Sequence, residues 1–409
     1  MDSNHRELRA RAHAALKSGN LPEALRLQCD LVNGTRQAEA LEPNDLKFLG
    51  YLFFNVGDER QSMAAFDQYL ALDPHDVQTL GNKAHLLIRA RQPDAAIALL
   101  TRAIEIDPDN DKCVAMLGDA HTHLRQYDQA RDFGLRALEM RSAARKSTNF
   151  DARAIPIPPF RANSPGHNVI SISLWGNHER YLSAAILNVQ LAPHIYPGWR
   201  CRFWVDGTVP ERVLDELKQH GADLVVMQRA NNYDGAFWRF LVADDPQVDR
   251  YLVRDADAVI NVRERVAVDA WIASGRHFHM MRDWWTHCEP MLAGLWGGVG
   301  RALPPLAPRI EAFIARRPYM SRDMDQQFLR NEVWPYARES ALVHDSIFQF
   351  GGAEDFPALG QRAPGLHVGQ DHSVMARMLK ERPPGRILER HEVGPARPAP
   401  LKRPGPGVQ

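Results

Sequence analysis

Cysteine is scarce in this chain. Four stand among 409 residues, Cys29, Cys113, Cys201 and Cys288, and no two form a CxxC pair. That spacing argues against a disulfide framework or a structural zinc site. It favours a reducing compartment, so a cytoplasmic location is expected. An excess of one charge is also missing, since 50 Lys and Arg balance 50 Asp and Glu. A dedicated nucleic-acid binder carries a basic excess, and no nucleic-acid partner is expected here. No apolar run approaches the ~20 residues that span a bilayer. The opening Met1-Asp2-Ser3-Asn4-His5-Arg6-Glu7 has no apolar signal core either. A protein without a membrane span is expected.

The first third carries an internal repeat. Leu72-Asp73-Pro74 returns as Ile106-Asp107-Pro108, with the prolines 34 residues apart. In the copy from Val77 to about Asn110, Leu80, Ala84 and Leu87 line one helix, and Ala96, Leu100 and Ala103 line the next. The preceding copy uses Leu46, Leu49, Gly50, Phe53 and Phe66. The following one uses Leu117, Gly118, Ala130 and Ala137. A weaker first copy uses Leu8, Ala12, Ala15, Ala24 and Leu31. Small residues let paired helices approach, and no unit can bury its apolar face alone, so neighbours must stack. The pattern resembles the tetratricopeptide repeat, which implies a solenoid over residues 1–145 that binds a protein or peptide partner.

Prolines at 156, 158, 159 and 165 then stop helix formation, which marks residues 146–167 as a linker. From Val169 short apolar strands alternate with helices. Strands are expected at 169–174, 200–205, 223–227, 250–254 and 278–281, with helices near 181–191 and 210–220. Such alternation implies a mostly parallel sheet covered by helices, here a Rossmann-like α/β domain over residues 168–380. Residues 381–409 are rich in proline and read as a disordered tail. The fold class expected overall is an all-α solenoid followed by an α/β domain.

Within the α/β part, Arg250-Tyr251-Leu252-Val253-Arg254-Asp255-Ala256-Asp257 reads as a strand that ends in two carboxylates one position apart. Ligands of open α/β sheets sit beyond the carboxyl ends of the strands. Paired carboxylates there suit Mg2+ or Mn2+, and a cation bridging two phosphates stabilises a departing diphosphate. Alone, such a pair more often caps a helix or solvates a loop. Its surroundings add weight. Asn261 can cap a helix with Glu264 three residues on, Gly275 can end that helix, and Phe278-His279-Met280-Met281 leads to Arg282-Asp283.

These residues resemble one block of the Asp-x-Asp glycosyltransferases of the A-type, nucleotide-diphospho-sugar transferase fold. The block runs from Tyr251 through Arg263-Glu264, Trp271 and Ser274-Gly275 to Arg282-Asp283, His287 and Gly294-Leu295-Trp296-Gly297. Further matches are Ser173-Leu174-Trp175-Gly176 with Arg180-Tyr181, Phe237 to Leu241, Asp325 to Leu329, and His344-Asp345-Ser346. The resemblance implies a nucleotide-sugar donor and bound Mn2+ or Mg2+. Asp257 is the implied main metal ligand, with Asp255 on the metal or the ribose and a histidine completing the set. His344 is favoured for that place, with His367 the alternative. Asp325 and Asp283 are the implied catalytic carboxylates. Arg239 and Arg254 suit phosphate by their fork geometry, and Arg282 is placed by the donor. Trp284, Trp285 and Trp296 can stack on a sugar or fill a core. The chain departs from the family pattern at Ala258, where serine is usual, and at Trp284-Trp285, which replace His-Pro. Two other readings stand beside this one. One is a non-catalytic adaptor with a vestigial transferase domain, and the other is nucleotidyl transfer on a similar sheet.

Overall fold

The computed structural model describes residues 3–37, 41–228, 234–317, 323–359 and 365–380. The proline-rich tail at 381–409 lies outside the described residues.

Eight helices open the chain and pack as tetratricopeptide pairs: α1 (Ser3–Lys17) with α2 (Leu21–Gln37), α3 (Pro43–Val56) with α4 (Glu59–Leu72), α5 (Val77–Arg89) with α6 (Pro93–Ile106), and α7 (Asp111–His123) with α8 (Tyr127–Arg141). Their starts are set locally. Asp58, Asp76 and Asn110 each accept a hydrogen bond from the backbone N–H three residues on, at 3.1, 2.8 and 3.1 Å. Pro43 and Pro93 occupy first-turn positions where no N–H is needed. The small residues of the repeat do what the sequence implies. A Cβ on Gly50 would overlap the Phe66 ring, and one on Gly118 would press on the Ala130 carbonyl. Leu80, Ala84, Leu87, Ala96, Leu100, Ala103 and Leu117 are buried together.

The second part holds a seven-stranded sheet. In chain order the strands are β1 (Asn168–Leu174), β2 (Arg200–Val205), β3 (Asp223–Val226), β4 (Arg250–Arg254), β5 (Phe278–Arg282), β6 (Leu295–Val299) and β7 (Ala341–Asp345). Their spatial order is β3-β2-β1-β4-β6-β5-β7. All neighbours run parallel except β6, which is antiparallel to both β4 and β5. Helices α9 (Glu179–Ile195), α10 (Glu211–Gln219), α11 (Gly235–Trp238) and α12 (Val262–Ser274) connect the first five strands. The direction of strand addition reverses between β1 and β4. That crevice is where a doubly wound sheet receives a ligand.

Two strands, β6 and β7, were not anticipated. Gly297 and Gly298 weaken the strand signal of β6, yet both are required. A side chain at Gly297 would meet the Tyr251 carbonyl, and one at Gly298 would meet the Tyr251 hydroxyl. The two glycines let β6 pair closely with β4 while Trp296, fully buried, packs edge-on against Tyr251.

The last repeat is welded to the α/β part. Val114, Ala137 and Leu138 share an apolar cluster with Cys288 and Phe348. A Cβ on Gly134 would overlap the Phe348 ring. Tyr127 stacks on Trp285 with ring centres 4.9 Å apart. Arg141 reaches Asp111 at 2.6 Å, the Cys288 carbonyl at 2.9 Å and Glu289 at 3.0 Å. Arg330 closes the same network onto Asp111 at 2.8 Å and Glu289 at 2.6 Å. All four cysteines are free. No helix among the described residues is long and apolar enough to cross a membrane.

Candidate functional site

Strand β4 delivers Asp255 and Asp257 just past its carboxyl end, against the carboxyl end of β1 (Ile172 pairs with Arg254). Asp255 is half-exposed, and Asp257 is mostly covered. Each carboxylate faces its own arginine. Arg239 donates to Asp255 and, through its other terminal nitrogen, to Asp325 at 2.9 Å. Arg180 donates to Asp257 and pairs with Asp371 at 2.9 Å.

The position of Arg239 follows from β1. Two serines of that strand are buried, and both serve the segment after α11. Ser171 Oγ donates to the Arg239 carbonyl at 2.7 Å, and the Arg239 N–H donates to Ser173 Oγ at 2.9 Å. The guanidinium therefore leaves the backbone at a fixed point, with only 7% of the side chain exposed. Asp325 comes from the short helix Met324–Phe328. Its neighbour Gln326 receives the Ala293 N–H at 3.0 Å and donates to the Met291 carbonyl, so this helix also clamps the chain leading into β6. Gly294 lies on that chain, and a Cβ there would overlap the Asp255 carboxylate. A long-range constellation of Asp255, Arg239 and Asp325 results.

Electrostatics separate these groups. Burial pushes the Asp325 carboxyl up to about 6; the Asp255 charge adds to the rise and Arg239 opposes it. Asp257 is also raised, first by burial and then by the Asp255 charge, against the pull of Arg180. A cation between the two carboxylates would relieve that repulsion, and carboxylate oxygens are the donors that Mg2+ and Mn2+ prefer. The acidic pair supplies donors of that type, each of them already engaged by an arginine. Among the described residues, no three His, Cys, Asp or Glu side chains gather closely enough to form a complete protein cage for one.

The other expected site residues take different places. Arg254 is fully buried and tied to Glu264 at 3.1 Å, with Tyr196 donating to the same carboxylate at 2.8 Å. Glu264 therefore anchors β4 to α12 instead of closing a capping box, although Asn261 does accept the Glu264 N–H at 3.1 Å. Arg282 forms a buried pair with Asp345 at 2.8 Å. His344 lies inside the sheet on β7, one strand beyond β5. Its Nδ1 shares a 2.8 Å hydrogen bond with His279, and burial, followed by the Arg263 charge, lowers it to about 4. It does not join the acidic pair. Asp283 is completely buried; Arg263, Ser346 Oγ and the Val368 N–H hold it at 3.0, 2.6 and 3.0 Å. Trp296 is core, Trp285 belongs to the junction with the solenoid, and Trp284 stacks on His367 with centres 4.9 Å apart.

Arg180 and Asp371 had no role in the sequence reading. The signal for Arg180 was present, since it is the second residue of the helix that follows β1, hence at the crevice. Asp371 is 114 positions from Asp257 and carried no such signal. It arrives because the chain folds back: Ala258 bridges to Asp371, and the His372 N–H donates to the Asp257 carbonyl at 2.8 Å.

The tetratricopeptide repeat family matches residues 49–111 and again 87–139. The N-terminal helices are tetratricopeptide repeats. Among solved structures, similar chains include a MamA double mutant from strain RS-1 at 21% identity, covering 34% of this chain and 76% of that one with a TM-score of 0.32. A MamA fragment from Desulfovibrio magneticus RS-1 is similar at 23% identity, covering 34% and 77% with a TM-score of 0.32. A mutant O-GlcNAc transferase from Thermobaculum terrenum is similar at 16% identity, covering 62% of this chain and 46% of that one with a TM-score of 0.41. The tetratricopeptide solenoid thus stands on the family match and the helix pairing. The reading of the α/β part rests on its own geometry.

Proposed function

We propose that the α/β part is a divalent-cation-dependent glycosyltransferase that moves a sugar from a nucleotide-sugar donor to an acceptor, and that the solenoid holds a protein partner or the acceptor itself. The supporting observation is the acidic pair at the β1/β4 crevice, linked through Arg239 to a carboxyl raised to about 6.

Asp255 and Asp257 would hold Mn2+ or Mg2+, which when bound supplies Lewis-acid stabilisation to a departing nucleoside diphosphate. Arg239 holds Asp255 and Asp325 at a fixed separation, so the metal-facing and proton-accepting carboxylates are oriented by one buried fork. Asp325 is the proton acceptor for the acceptor hydroxyl; its raised proton affinity suits a general base near neutral pH. Gly294 leaves room for the Asp255 carboxylate, and Gln326 holds the chain that carries it. Gly294→Ala is expected to weaken Mn2+ binding by roughly 10–100-fold, measured by titration calorimetry, and to lower stability as well, because the new Cβ would crowd the Asp255 backbone nitrogen along with its carboxylate.

The direct test is donor turnover in Mn2+. The wild type should release nucleoside diphosphate from at least one nucleotide sugar, and Asp257→Ala should lose about two orders of magnitude or more of that rate. Release of pyrophosphate instead would indicate nucleotidyl transfer. Because each acidic residue already has an arginine partner, an adaptor without catalysis is the competing reading. It requires that no nucleotide sugar in a broad panel be turned over.

A further inference from the structure

The charges around the crevice do not balance. Asp255, Asp257, Asp325 and Asp371 contribute four carboxylates, and Arg239 and Arg180 contribute two guanidiniums to them. The two arginines are also unlike. Arg239 is buried and fixed at its backbone by β1. Arg180 stands on the second residue of α9, and 38% of its side chain is exposed. Its guanidinium lies over the Tyr181 ring at 5.2 Å, and its Nε is covered without a hydrogen-bond partner. Arg180 is thus an arginine that can turn without unpacking the core. It sits where the first turn of a 17-residue helix opens towards the crevice, a place whose dipole favours an anion.

We propose that Arg180 is an exchangeable counter-ion. It competes with the divalent cation for Asp257, yields that carboxylate when the cation binds, and turns its fork to the diphosphate of the donor. Asp371 keeps the guanidinium at the crevice during the exchange, because the Ala258–Asp371 bridge and the His372 N–H to Asp257 carbonyl bond fix the two acids side by side. This assignment rests on the glycosyltransferase reading above. It makes Arg180 a positioning residue towards the metal and a ligand towards the diphosphate. Those roles predict opposite effects of its loss on the two ligands, which a simple structural ion pair would not.

The test uses the full chain and its Arg180→Gln and Arg180→Lys variants. Mn2+ alone is titrated by calorimetry, followed by UDP, GDP, ADP and CDP at saturating Mn2+. Arg180→Gln should bind Mn2+ about tenfold more tightly, because its competitor is gone, and the preferred nucleoside diphosphate about tenfold more weakly. Arg180→Lys keeps the charge but not the fork, so it should stay near wild type for Mn2+ and remain weakened for the diphosphate. If wild type binds both ligands and the glutamine variant is unchanged, or is weakened for both, the counter-ion role is overturned while the transferase reading stands. If wild type binds neither Mn2+ nor any of the diphosphates, the transferase reading fails and this assignment fails with it.

Discussion

Replacing Arg239 with methionine should cost about 3–5 kcal/mol of stability at neutral pH, because it leaves the buried Asp325 carboxylate, and the half-exposed Asp255, without their shared partner. The loss should shrink on acidification. Asp325 sets the sign. Its carboxyl is raised in the folded protein to about 6, from an ordinary value of 3.8. A raised carboxyl contributes stability below its unfolded value and loses it as pH climbs through the folded value. Arg239 opposes that rise, so its removal pushes Asp325 higher still and extends the loss beyond pH 6. Wild type and Arg239→Met should therefore unfold at similar denaturant concentrations near pH 4 and separate steadily towards pH 7. A constant gap across that range would show that the Arg239–Asp325 pair is not what stabilises the site. The neutral pH at which the variant is least stable is also the pH at which a general base is needed, so its activity should fall further than its folded fraction.

The second large effect is expected at the junction. Arg141 is 7% exposed and holds Asp111 of the solenoid together with Glu289 and the Cys288 carbonyl of the α/β part. Arg141→Ala should cost about 3 kcal/mol or more, since Glu289 and Asp111 would keep only Arg330 as a shared partner. The consequence reaches the site. Glu289 lies on the loop between β5 and β6, and Gln326 holds the Met291–Ala293 stretch of that same loop beside Asp255. Hydrogen exchange across residues 284–294 should accelerate in the variant, even under conditions where both parts remain folded. In wild type the solenoid and the α/β part should unfold in one transition, because the apolar cluster of Val114, Leu138, Cys288 and Phe348 spans the junction. Two separate transitions, with Arg141→Ala affecting just one of them, would contradict that coupling.

Local chemistry explains which parts of this architecture were legible in the sequence. The repeats were legible because prolines 74 and 108 punctuate a fixed period and Gly50 and Gly118 mark close helix contacts. The strands β1 to β5 were legible because each is a short apolar run flanked by turns or helices. Strand β6 was not, since its two central glycines answer to Tyr251, which is nearly fifty positions away. The arginines show the same limit. Arg239 and Arg254 look alike in sequence, but Arg254 meets Glu264 from α12 whereas Arg239 meets Asp325 from a helix 86 residues downstream. Partner choice at that range depends on the packed sheet. His344 was read from a short motif, and its partner His279 becomes visible only once β5 and β7 pair. Asp371 required the longest step, a return of the chain to Ala258.

The most direct test of the central claim is calorimetric titration of nucleoside diphosphates into the full chain, with and without Mn2+, for wild type and Asp257→Ala. At least one diphosphate should bind wild type in a Mn2+-dependent manner, and Asp257→Ala should abolish that dependence while its thermal unfolding stays cooperative. Binding that ignores both Mn2+ and Asp257, or no binding by wild type at all, would contradict a cation-and-diphosphate site at the β1/β4 crevice.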